Sequence, residues 1–194
     1  MLEAVERNPK VSQRTVASEL GIALGLANAY LRRCVRKGLI KIGEVPRRRY
    51  AYYLTPQGFT EKSRLTASFL SHSFTFFRRA RTQCGDCFAT ARAREQTRFL
   101  LVGSGDISDV ARLIAGEHAV TIVGIIAAAP KPAILRKAAA EAGEFDAVLV
   151  VTLESAIETY AACVETFGAG ATYAPPMLGI GAPRSPEPGL AAIE

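Results

Sequence analysis

Residues 11–56, VSQRTVASELGIALGLANAYLRRCVRKGLIKIGEVPRRRYAYYLTP, constrain this chain's fold more than any other stretch. Ser12 caps a short helix whose apolar residues are Val16, Ala17 and Leu20. Gly21 ends it and opens a tight turn. The spacing predicts a second helix over residues 23–37, closed by Gly38. Two short strands follow, at 39–43 and 49–54, joined by a tip carrying Pro46, Arg47 and Arg48. Helix, turn, helix and a basic hairpin, in that order, is the pattern of a winged helix-turn-helix.

Centring the buried face of the second helix on Leu31 puts Ala27, Cys34 and Val35 beside it. The opposite arc then holds Gly25, Asn28, Ala29, Arg32, Arg33 and Arg36. Small residues let a backbone approach a groove, Asn reads adenine, and Arg reads guanine or holds phosphate. The same arginines would suit a solvated helix face; the basic tip that follows favours nucleic acid. Asn28, Arg32, Arg33 and Arg36 are the expected major-groove residues. Arg47, Arg48 and Arg49 would take phosphate or the minor groove, and Gln13, Arg14 and Lys41 would position the backbone.

The charge distribution agrees. Residues 1–96 carry 18 Lys and Arg against 7 Asp and Glu, whereas residues 97–194 carry 6 against 11. Only the first half is built to meet a polyanion.

NPKVSQRTVASELGI, RKGLIK and AYYLTPQGFTEKSRLTASFL resemble the MarR-type winged-helix regulators, and within them the exopolysaccharide-associated branch. The resemblance covers about the first 80 residues, with LTPQG its most specific part. It implies a DNA-binding transcriptional regulator and suggests surface-polysaccharide genes as targets.

In chain order, residues 1–7 read as a helix ended by Asn8-Pro9. Thr55-Pro56 is a cap followed by Pro at the first helical position. The helix it opens is expected to reach Arg81, with Phe59, Leu65, Phe69, Leu70, Phe74, Phe76 and Phe77 along it. That aromatic surface points to a dimerisation helix over residues 56–81, because operators are usually two-fold. Residues 82–96 read as a linker containing Cys84-Gly-Asp-Cys87. The Cys84 and Cys87 pair could be redox-active, hold half a zinc site completed by a second copy, or pack as inert thiols.

From Thr97 to residue 181, apolar strands at 98–102, 120–127, 146–151 and 171–174 alternate with three helices. This pattern predicts a parallel sheet covered on both faces, a small Rossmann-like domain. Residues 182–194 read as a disordered tail. The fold class is thus α+β: a winged helix-turn-helix (1–55), a long helix, and an α/β domain.

Gly103, Ser104, Gly105 and Asp106 form a loop after a strand and before a helix, where a nucleotide phosphate can lie. Ser108 replaces the third glycine of the fingerprint, the second strand ends in Ala127-Ala128-Ala129 without an acid for a ribose, and Asp106 repels an anion. Dinucleotide affinity is therefore expected to be weak or absent. His72 and His118 lack catalytic partners nearby in sequence, so no enzyme activity is expected. No secretory segment or membrane-length apolar run is visible, so the expected setting is cytoplasmic. The expected partners are double-stranded DNA, a second copy, and a possible small-molecule ligand. The rival reading is a nicotinamide-responsive redox sensor or enzyme carrying a DNA-binding domain.

Overall fold

The computed structural model describes residues 1–8, 11–45 and 49–180, except the side chains of residues 44, 45, 49 and 50. The chain forms two compact units, Met1–Ser73 and Phe74–Glu194.

The first unit holds α1 (Leu2–Arg7), α2 (Gln13–Glu19), α3 (Leu24–Arg36), β1 (Ile40–Val45), β2 (Arg49–Leu54) and the start of α4 (Pro56–Arg92). Ser12 caps α2, its Oγ accepting from the Thr15 N–H at 3.1 Å. Gly21 and Gly38 take φ +61° and +70°, the left-handed values that let the chain turn after α2 and after α3. β1 and β2 pair antiparallel, Ile40 opposite Leu54 and Val45 opposite Arg49. Val5, Val11, Val16, Ala17, Ala27, Leu31, Ile40 and Tyr52 form the core. Leu20, read as part of the apolar face of α2, is instead exposed. It sits one turn beyond Val16, where α2 has already ended.

The LTPQG stretch has a direct structural reason. Thr55 Oγ1 donates to the Gly38 carbonyl at 2.6 Å and accepts from the Gly58 N–H at 3.0 Å. One residue thus closes α3 and caps α4. Gly58 is buried against Leu39, whose carbonyl oxygen would lie 2.0 Å from any Cβ added there.

The expected end of α4 at Arg81 and the linker at 82–96 are corrected: the helix continues to Arg92. Ala80, Cys84, Cys87, Phe88 and Ala91 recur at helical spacing and are all buried, so burial outweighs the turn propensity of Gly85-Asp86. Gly85 is where His118 lies against the helix; a Cβ there would stand 2.8 Å from His118 Nε2.

In the second unit, β3 (Arg98–Val102), β4 (Thr121–Ile126), β5 (Ala147–Val150) and β6 (Thr172–Tyr173) form a parallel sheet in the order β4-β3-β5-β6. Between them run α5 (Asp106–Ala115), α6 (Pro132–Glu141) and α7 (Ala156–Phe167). The chain reverses direction across the sheet after β4. Right-handed crossovers therefore put α5 on one face and α6 with α7, which touch each other, on the opposite face. Phe88 of α4 meets Phe99 of β3 edge-on at 4.9 Å. Asp146 accepts from the N–H groups of Thr97 and Arg98 at 2.9 and 2.8 Å, tying the starts of β3 and β5 together. The tail expected at 182–194 lies outside the described residues.

Candidate nucleic-acid interface

α3 is amphipathic in the way its sequence demands. Ala27 and Leu31 are fully buried, with Cys34 and Val35 packed partly beneath. Gly25, Ala29, Arg32 and Arg36 are exposed, and Asn28 is half-buried on the same side. Arg33, expected on this outer arc, is half-buried and already engaged within the chain. Arg32 and Arg36 form no hydrogen bond or ion pair among the described residues.

Between α3 and the hairpin lies a half-open trough of about 630 Å³. It is lined by the apolar Leu31, Val35 and Ile42 and by Gln13, Asn28, Arg32, Arg36 and Tyr52. Gln13, expected to meet the DNA backbone, donates its amide to the Tyr52 hydroxyl at 3.1 Å. Arg14 on α2 and Lys41 on β1 are exposed. Arg49 begins β2, and the tip residues Arg47 and Arg48 lie outside the described residues. Sequence reasoning missed Tyr52. Its only signal is the aromatic alternation of β2, and its partner is 39 positions away.

Three described acids of the first unit are already matched: Glu19 by Arg7, Glu61 by Arg64 and Glu6 by Lys62. Arg14, Arg32, Arg36 and Lys41 have no ion-pair partner among the described residues, which favours a positive field around α3.

The other candidate residues sit in the second unit. Gly103 adopts φ +113° and packs against Thr152, where a Cβ would come within 2.7 Å. Gly105, φ +116°, caps α5 and faces open space. Asp106 and Asp109 occupy the first turn of α5 and already offset the partial positive charge at its N-terminus.

Cys84 and Cys87 are buried on the inner face of α4. Burial, reinforced by Cys87, pushes the Cys84 thiol up to about 12. Burial, reinforced by Asp86, pushes Cys87 up to about 11. Thiolate chemistry is disfavoured at both, and among the described residues no group of three or more His, Cys, Asp or Glu could hold a metal. His72 Nδ1 lies 2.7 Å from the Ser68 carbonyl on its own helix, and His118 is half-buried near Phe88.

A capped short helix, a left-handed glycine turn, an exposed basic helix and a hairpin define a DNA-binding domain of the winged helix-turn-helix class. Residues 1–41 match the winged helix-turn-helix DNA-binding family. No curated protein and no solved structure matches the chain. Among the described residues no helix is long and apolar enough to cross a membrane.

Proposed function

We propose that this chain is a sequence-specific transcriptional regulator that binds double-stranded DNA as a homodimer and has no enzymatic activity. The observation that carries this reading is the pair Arg32 and Arg36, exposed on α3, lining the trough and without an ion pair among the described residues. Both lie on the exposed face of α3, the helix that would enter the major groove. Phe59, Leu65, Phe69, Leu70, Phe74 and Phe77 are exposed along α4 and supply the apolar surface for pairing two copies. The α/β unit serves assembly or senses a small ligand. The resemblance of the first 80 residues to exopolysaccharide-associated regulators makes surface-polysaccharide genes the first targets to test. Mapping the genomic DNA that co-purifies with the protein tests the reading. Enrichment of a short two-fold motif is expected, and uniform recovery of DNA would overturn sequence-specific regulation.

A further inference from the structure

The trough between α3 and the hairpin has a feature that base reading by α3 does not use. The Tyr52 hydroxyl accepts from Gln13, so its own proton remains to be donated, and no acceptor for it occurs among the described residues. Tyr52 is only 4% exposed, yet it lines the trough. Facing the trough, that proton is available to an incoming acceptor. Arg32 and Arg36 in the same lining make an anionic acceptor the favoured kind.

The apolar part of the lining narrows the choice further. Free phosphate or a carboxylate gains nothing from Leu31, Val35 and Ile42. A deoxyribose–phosphate strand presents anionic oxygens and apolar sugar C–H groups in alternation, and so matches both kinds of lining residue. A docked duplex would bring such a strand here. If α3 enters a major groove and the hairpin enters the neighbouring minor groove, the backbone dividing the two grooves must pass between them.

We propose that this trough seats one phosphodiester of that dividing strand, with the Tyr52 hydroxyl donating to a phosphate oxygen and Gln13 fixing the hydroxyl's direction. Arg36 supplies the charge. Tyr52 reads no base; it sets how deep the strand lies between helix and hairpin. The inference rests on the DNA-binding reading above.

The test uses the full-length protein and a duplex it selects from a random pool. Each phosphate in turn is replaced by a neutral methylphosphonate, and the scan is repeated with Tyr52→Phe, Gln13→Glu and Arg36→Ala. Tyr52→Phe should weaken binding about tenfold, the loss expected for a hydrogen bond to a charged group. It should leave the salt dependence unchanged, because no ion is removed. Arg36→Ala should lower the salt slope by about one. Gln13→Glu should weaken binding at least as much as Tyr52→Phe, since a carboxylate captures the Tyr52 proton and repels the phosphate. One phosphate per half-site should matter distinctly less in Tyr52→Phe than in the wild type, the remainder being its charge interaction with Arg36. A wild type that selects DNA, together with a Tyr52→Phe protein of equal affinity or an identical scan, overturns this inference alone. A salt slope that falls in Tyr52→Phe would show a collapsed hairpin and also overturn it. A wild type that binds no duplex removes the DNA-binding reading and this inference with it.

Discussion

Gly58 lies so close under Leu39 that a Cβ on it would stand 2.0 Å from the Leu39 carbonyl oxygen. The contact is with backbone, so no rotamer change relieves it. Gly58→Ala must displace the start of α4 or break the Thr55 bridge between α3 and α4. The expected loss is about 1–3 kcal/mol, the usual cost of overpacking. A lowered melting temperature of the first unit, followed by far-ultraviolet circular dichroism, checks it; an unchanged melt would mean that α4 enters differently.

Replacing Arg32 with Ala should leave the melt unchanged, since its side chain is exposed and forms no hydrogen bond or ion pair among the described residues. The lost base contact should cost about 1–3 kcal/mol of binding to the selected duplex. Competition titration against random DNA separates this from lost phosphate contacts, which would weaken both duplexes equally.

Assembly should fail when the exposed face of α4 is charged. Phe69 is 70% exposed. Phe69→Asp with Phe77→Asp should give monomers in sedimentation at micromolar concentration. A folded double variant that still sediments as a dimer would place the interface elsewhere.

Acid should loosen the second unit through Asp146. Backbone N–H donation, first from Thr97 and then from Arg98, holds its carboxyl below the usual carboxylate range. The folded value is thus the lower one. The stabilisation is complete above the unfolded value near pH 4 and disappears as pH falls through the folded value. Asp146 is solvent-exposed, so the effect is moderated by screening. Asp146→Ala should destabilise at neutral pH and flatten the acid limb of stability against pH. An acid limb identical to that of the wild type would exclude this carboxylate.

Oxidised and reduced nicotinamide dinucleotides should bind the full-length protein weakly or not at all in calorimetry. The residue 103–106 loop joins a strand to a helix, but Asp106 and Asp109 put negative charge in the first turn of that helix and no acid directly follows β4. Micromolar binding that changes DNA affinity would promote the redox-sensor reading.

The sequence was most legible where structure is local. Ser12, Gly21 and Gly38 each act within a few residues of their position, and the β/α alternation after Thr97 depends only on apolar runs. What stayed hidden is non-local. Gly85 and Asp86 look like a turn until His118, 33 positions on, is seen resting against the helix. Gln13 reads as a free polar contact until Tyr52 takes its amide. The outward arginines of α3 were legible except Arg33, because helical periodicity gives direction but not the reach of a long side chain into neighbouring partners.

The sheet order also bears on how the chain is made. The first unit draws its core from residues between Val5 and Tyr52, so it can close soon after those leave the ribosome. Phe99 emerges early but pairs with Ala147 only when β5 has been synthesised. At ordinary elongation rates that interval is about 3–10 s. During it, the apolar β3 and the Phe88 face of α4 lack their full cover. Nascent chains stalled near residue 110 should therefore show a protease-resistant first unit attached to a sensitive remainder, and translation speed across residues 99–150 should govern the yield of native protein.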